Sequence, residues 1–307
     1  MNLNTNNKNK YTIFTKNFGK KDFIIQLFVK LSRLLTQINK KNNKKSKILG
    51  QVVGFTDDVV TETINQEGLY EKRELMTLIS WLNPYLPNFK KSTFIDVGAN
   101  IGNHSLFFSN YFKKIIAIEP HKKIYNVLKL NTEEKKNIKV FNYAISEKNK
   151  FSYLNNKKNN LSGSNLLNKP QKFSQKVICK KIDSLIKKSE KVDLIKIDVE
   201  GHEYQVIKGS INLIKKNNPF ILFEHHLDNF KSKYSPTIKL LKRLGYKNFA
   251  VISSNPRFSY YDGLFCKLIK KLINLFLNNM SFSIYIQKNI KPDYYPFIIA
   301  IPDRYNI

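Results

Sequence analysis

The stretch FIDVGANIGNHS, Phe94–Ser105, joins a short apolar run to a longer one through two glycines. Thr93–Val97 has the length of a buried strand, and Ile101–Phe112 has the spacing of a helix. Gly98 permits the tight turn between them, and Gly102 lets the helix approach the strand or a ligand closely. The amides exposed at such a helix start suit an anionic or polar group. In an open α/β sheet, ligands sit beyond the carboxyl ends of the strands where strand order reverses. This stretch therefore predicts an α/β fold with a ligand held at its first turn.

The alternation continues outward. Glu71–Leu82 reads as a helix closed by NPYLPN, Asn83–Asn88. After the opening unit come a strand at Lys114–Ile118, a helix at Lys122–Asn131 and a strand at Ile138–Ala144. Val177–Ile182 reads as an edge strand, Val192–Ile197 as a fourth apolar strand, and Glu203–Lys216 as one helix. Pro219–Glu224 is a fifth strand, Pro236–Leu244 a helix capped by Gly245, and Phe249–Ile252 a sixth strand. Phe282–Ile286 and Phe297–Ile301 are further strand candidates, the second completing the sheet. Repeated βα units predict a doubly wound, mostly parallel sheet with helices on both faces.

Residues 51–307 form the expected domain, with a ligand-binding core at about 92–255. Residues 1–50 read as a basic extension in which 1–21 are mobile and Asp22–Asn39 is an amphipathic helix. Its stripe of Phe23, Leu27, Leu31, Leu34 and Ile38 suits packing on its own domain, or an anionic membrane surface. Ser146–Gln175 is an Asn-rich excursion over the ligand side, and Leu264–Leu277 a second basic amphipathic segment.

Formal net charge is +30, from 53 Lys+Arg against 23 Asp+Glu. Such a balance suits a polyanionic partner. The cations are nearly all Lys in Lys/Asn runs such as KKNNKKSK at Lys40–Lys47, which speaks against a dedicated nucleic-acid reader, where Arg is also used. Weak peripheral attraction to an anionic membrane fits the same charge. Cys179 and Cys266 are the only cysteines, with no zinc-like spacing, so a reducing, cytoplasmic setting and no structural zinc are expected. No apolar run reaches the ~18 residues of a spanning helix.

The glycine spacing narrows the ligand. Asp96, Gly98 and Gly102 spell DxGxxxG, whereas dinucleotide binders use GxGxxG, and Asn100 stands where a pyrophosphate needs glycine. S-adenosylmethionine has no phosphates, and its ammonium favours an acid at the strand end, which Asp96 supplies. Glu119 follows Gly98 by 21 residues and ends the second strand, where a carboxylate can accept hydrogen bonds from both ribose hydroxyls.

A second constellation is DLIKIDVEGHEYQVIKG, Asp193–Gly209. Its strand would lie beside the first across the reversal point, bringing Asp198, Glu200, His202 and Glu203 next to the transferable methyl. Methyl transfer to oxygen needs a group that accepts the hydroxyl proton, and carboxylate or imidazole can do so. The plainer reading of His202 and Glu203 is a local helix-start hydrogen bond and a cap. Glu224-His225-His226 at the fifth strand end also faces the crevice, but Asp198 with Glu224 is too thin a ligand set to predict a metal.

Together FIDVGANIGNHSL, IIAIEP, LIKIDVEGHEYQVIKGS, FIIAIP and EGLYEKRELMTLISWL (Glu67–Leu82) resemble the FkbM family of methyltransferases. The resemblance covers roughly Val52–Pro302. It implies a Rossmann-like sheet of the class I methyltransferase type and S-adenosylmethionine-dependent O-methylation of a sugar or glycan hydroxyl, as in a surface polysaccharide or its precursor. It also implies a cofactor site at Asp96, Gly98, Asn100, Gly102, Asn103, Glu119, Pro120 and Ala144. Asp198, Glu200 and His202 would then lie where cofactor meets acceptor. An RNA methyltransferase is the rival enzyme reading, suggested only by charge. A non-catalytic glycan- or membrane-binding scaffold is the rival of another class.

Overall fold

The computed structural model describes residues 49–56, 58–155, 164–167, 169–230, 235–255 and 281–305, with 3–6, 10–13 and the positions Leu27, Lys30, Leu31 and Leu34. An eight-stranded sheet forms the centre. Its strands are β1 (Thr93–Val97), β2 (Lys114–Ile118), β3 (Ile138–Phe141), β8 (Val192–Ile197), β9 (Phe220–His225), β10 (Asn248–Asn255), β11 (Ser281–Gln287) and β12 (Tyr295–Ile301). A four-stranded sheet joins β4 (Ala144–Ile145), β5 (Lys150–Leu154), β6 (Leu166–Leu167) and β7 (Gln175–Lys180).

Across the large sheet the order is β3-β2-β1-β8-β9-β12-β10-β11. The five strands from β3 to β9 are mutually parallel, while β12 runs antiparallel to β9 and to β10, and β11 antiparallel to β10. Strand order reverses between β1 and β8, which pair directly with Lys196 opposite Asp96. Every residue of β1 and β8 is buried, as a parallel strand covered on both faces requires.

Helices cover both faces. α1 (Val59–Glu67), α2 (Lys72–Leu82), α3 (Asn103–Phe108) and α4 (Lys122–Asn131) pack through Ile64, Leu75, Leu78, Phe107 and Ile124 against one face. α5 (Ile182–Leu185), α6 (Glu203–Lys208), α7 (Ile211–Asn217) and α8 (Pro236–Arg243) pack through Ile182, Val206, Ile214 and Leu241 against the other. Alternation along β1 divides the core, Phe94 joining the first cluster and Ile95 and Val97 the second. α8 starts on Ser235, whose hydroxyl accepts from the Ile238 amide, with Pro236 in its first turn.

Several boundaries differ from the sequence expectation. The helix expected over Glu203–Lys216 breaks at Gly209, where a Cβ would stand 2.1 Å from the Ser146 carbonyl oxygen. That close approach needs glycine and interrupts the helix. The helix expected at Ile101–Phe112 is confined to Asn103–Phe108. Val177 and its neighbours pair with β4 and β5 and are no edge of the large sheet. The Ser146–Gln175 excursion contains β5 and β6 and so is more ordered than its Lys/Asn content suggests. At the N-terminus, Leu3–Asn6 pairs antiparallel with Lys10–Ile13 within the stretch expected to be mobile. Leu27, Leu31 and Leu34 are helical and about half exposed, so these three are not core residues of the domain. The rest of Asp22–Asn39, and Leu264–Leu277, lie outside the described residues. Among the described residues no helix is long and apolar enough to cross a membrane.

Candidate functional site

A cavity opens at the carboxyl ends of β1, β2, β8 and β9, over the strand-order reversal. Its wall carries five carboxyl groups, those of Glu71, Glu119, Asp198, Glu200 and Glu224, and one ammonium, Lys196. In a chain of formal charge +30 this pocket is locally acidic. A cationic ligand is what such a wall favours.

The turn after β1 is shaped by backbone geometry. Gly98 has φ +81°, and a Cβ there would lie 1.8 Å from the Asp198 carbonyl oxygen. Asn100 (φ 50°), Glu200 (φ 52°) and Glu71 (φ 54°) all adopt the left-handed conformation, and all three line the cavity. Such positions cost about 1–3 kcal/mol each and gather at ligand sites. Glu119 closes this side. Its Oε2 accepts from the Asn100 amide at 3.1 Å and its Oε1 from the His121 amide at 2.8 Å. Burial pushes its carboxyl up to about 7, although both amides pull the other way.

The opposite side is built on β8 and β9. Lys196 and Asp198, two apart on an extended chain, project to one face. Lys196 Nζ donates to Asp198 Oδ2 at 3.0 Å and lies 3.8 Å from Asp96 Oδ1. Burial opposes the charge on Lys196, but Asp198 and Asp96 outweigh it and hold the ammonium above its ordinary value. Burial likewise opposes the charge on Asp198, and Lys196 reverses that, holding the carboxyl below the usual carboxylate range. Asp198 is hydrogen-bonded to Glu224, which also accepts from the Tyr294 hydroxyl at 2.9 Å. Burial, then the charge of Asp198, push Glu224 up to about 8. At neutral pH the pair therefore holds one proton, on Glu224.

A third wall comes from the segment before α2. The Asn103 side chain accepts from the Tyr70 amide at 3.1 Å and donates to the Tyr70 carbonyl at 3.0 Å. His104 Nε2 lies 3.0 Å from Glu71 Oε2. These contacts dock Tyr70 and Glu71 over the turn; burial foremost pushes the Tyr70 phenol up to about 12.

Of the sequence-predicted residues, Gly98, Asn100, Asn103, Glu119, Pro120, Ala144, Asp198 and Glu200 line the cavity together. Three lie off its wall. Asp96 is fully buried beneath it, its Oδ2 accepting from Ser105 Oγ at 2.7 Å. Gly102 faces α4, where a Cβ would meet Leu128 at 2.9 Å, so it serves helix packing. His202 shares a 2.9 Å hydrogen bond with Ser146 Oγ, and burial depresses its imidazole to about 4, leaving it neutral. The turn through Glu200 and Gly201 (φ +88°) directs it away. Glu203 accepts from the Gly201 amide at 3.0 Å, the local helix-start bond. Sequence reasoning passed over Lys196, Tyr294 and the Tyr70–Glu71 wall. The signal for Lys196 was present, a lysine inside the apolar run LIKI of a doubly covered strand.

Residues 96–247 match the family model of the methyltransferase FkbM domain. Over 202 residues the chain is 24% identical to the hexuronic acid methyltransferase AglP of Haloferax volcanii, spanning 64% of this chain and 82% of that protein. Among solved structures, methyltransferase FkbM of Methylobacillus flagellatus is similar at 17% identity and a TM-score of 0.35, over 61% of this chain and 49% of that one. The chain thus spans about half the length of that structure. A SAM-dependent O-methyltransferase of Thermotoga maritima is similar at 10% identity and a TM-score of 0.36, over 73% and 64% of the two chains. The matched domain runs from Asp96 through the whole IDVEGHE segment to Lys247, and the chain is a methyltransferase of the FkbM family.

Proposed function

We propose that the chain is an S-adenosylmethionine-dependent O-methyltransferase acting on a hydroxyl of a sugar or glycan. The observation that carries this reading is the acidic cavity at the β1/β8 reversal in a strongly basic chain. The donor set suits the cofactor. Glu119 is a buried double acceptor that suits a diol, and Asp198 and Glu200 suit a cation. The similarity to a hexuronic acid methyltransferase supports a sugar acceptor.

Bound S-adenosylmethionine supplies an electrophilic methyl group on a sulfonium. Glu119 would take the ribose hydroxyls, with Gly98, Asn100, Asn103, Pro120 and Ala144 forming the cradle. Asp96 contributes from below, by fixing Lys196 and Ser105. Asp198 accepts the proton that the sugar hydroxyl loses, since Lys196 keeps its carboxylate ionised at neutral pH. Glu200 at the cavity wall orients the hydroxyl, and Glu224 with Tyr294 holds Asp198 in place. His202, bonded to Ser146, positions the loop and takes no proton from the acceptor. The setting is cytoplasmic, where the cofactor is made available.

The test is transfer of labelled methyl to uronate-containing glycans by the wild type and by Asp198→Asn. A loss of about 10²–10⁴-fold in kcat, with cofactor affinity kept, is expected for a removed general base. Undiminished transfer removes Asp198 from that role.

A further inference from the structure

The outer face of the small sheet carries rings and ammonium groups in alternation. On β5 and β7, Ser152, Leu154, Val177 and Cys179 point inward, which turns Phe151, Lys176, Ile178 and Lys180 outward. Phe151 is 63% exposed and Ile178 opposite it 43%. Lys176 Nζ lies 4.4 Å from the centre of the Phe151 ring, and Lys180 Nζ lies 5.9 Å from that of Tyr143. Tyr143 stacks on Phe141 at 6.1 Å and also lines the catalytic cavity. The face therefore runs from an exposed phenylalanine down to the mouth of the site.

Its charge is one-sided. Residues 148–182 contain nine lysines and no aspartate or glutamate. Among the described residues Lys176 and Lys180 have no acidic partner. Five of the chain's 23 acids line the adjoining cavity, which would repel an anion placed there. An anionic acceptor is thus favoured with its charges on the small sheet and only the reacting unit inserted.

We propose that this face is a binding platform for an acidic glycan, its rings stacking on sugar faces and its lysines pairing with carboxylates of neighbouring units. Flat exposed rings offer apolar area to the C–H faces of sugars at low cost in side-chain entropy. Lysine, a mobile point charge, suits carboxylates presented at varied angles, whereas base recognition draws on the planar fork of arginine, which this segment lacks. The inference rests on the sugar-methyltransferase reading and adds to it the charge of the acceptor and the surface that holds it.

The experiment is calorimetric binding of hexagalacturonate, maltohexaose and oligo(U) to the full chain. The comparison uses Phe151→Ala and the double variant Lys176→Gln, Lys180→Gln, with melting temperature checking the fold. The wild type should bind hexagalacturonate and not maltohexaose, more weakly as salt rises. Each variant should weaken binding by about tenfold, as loss of an exposed ring or of two charges does at an interface. Equal binding of maltohexaose, unchanged affinity in both variants, or tighter binding of oligo(U) lost with the same substitutions would each overturn the proposal, the last in favour of RNA. Cofactor binding is measured on the same samples. If S-adenosylmethionine fails to bind while hexagalacturonate binding tracks the variants, the methyltransferase reading falls and the platform stands. If the cofactor binds and the platform variants are silent, only the platform falls.

Discussion

Nζ of Lys196 lies 3.0 Å from Oδ2 of Asp198, with the lysine side chain almost wholly buried. A cation two residues from the carboxylate it holds, at the end of the same strand, fixes the ionisation of the site before any ligand arrives. Asp96, opposite Lys196 on β1, adds a second carboxylate at 3.8 Å. Removing the ammonium leaves the fully buried Asp96 facing Asp198 at the cavity wall with no cation between them. Lys196→Met should therefore cost about 3–5 kcal/mol, the usual penalty for breaking a buried pair from one side. Thermal melting checks it, and a wild-type melting temperature would show that the pair contributes nothing.

The ionisation of the site also sets a pH dependence. Glu119 and Glu203 titrate up to about 7 and Glu224 up to about 8, each raised foremost by burial. A carboxyl raised in the folded state contributes stability that is complete below its unfolded value and lost as pH rises through its folded one. His202 and His225, both depressed to about 4, act the other way, but only below their unfolded value near 6.5. Between about pH 6.5 and 8.5 the three acids act alone, so the melting temperature of the ligand-free protein should fall by more than about 3 °C. Glu224→Gln should flatten that slope. A melting temperature that rises over the same window would contradict the assignment.

Glu119 gives a cleaner test of the proposed cofactor site. Glu119→Ala should weaken S-adenosylmethionine binding by about 10- to 100-fold in calorimetry, from the loss of charged hydrogen bonds. The affinity for an acidic glycan on the small sheet should stay unchanged. Equal cofactor affinity in wild type and variant would place the ribose elsewhere.

Two glycines of positive φ separate strain from contact. Gly98→Ala would place a Cβ 1.8 Å from the Asp198 carbonyl oxygen, while a Cβ at Gly201 meets no atom within 4 Å. Gly201→Ala should cost only the left-handed conformation, about 1–2 kcal/mol. Gly98→Ala should cost more, because β1 and the segment after β8 must also move apart. Denaturant titration of both variants orders them, and equal losses would mean that the close approach is not limiting.

Much of this was legible in the sequence, for identifiable reasons. β1, β2, β8 and α4 fall where apolar runs and turn signals placed them, because a doubly covered parallel strand leaves little room for polar residues. The DxGxxxG turn and Glu119 were readable because their spacing reflects one βαβ unit. Contacts between distant segments were not. The docking of Tyr70 on Asn103, and of Tyr294 on Glu224, joins residues 33 and 70 apart that carry no shared period. His202 shared its motif with Asp198, but the left-handed backbone at Glu200 and Gly201 turned it toward Ser146, and a sequence gives no sign of that turn. The small sheet was hidden by its lysines and asparagines, although F-S-Y-L and V-I-C-K in β5 and β7 alternate inward and outward.

The central claim is methyl transfer to a sugar hydroxyl, and the most direct measurement is the alkali stability of the transferred group. Wild-type protein is incubated with methyl-labelled S-adenosylmethionine and a uronate-containing glycan, and the product is held in mild alkali. A methyl ether, stable to that treatment and absent with Asp198→Asn, is the predicted result. Label that is never transferred, or that alkali releases as from a carboxyl ester, contradicts it.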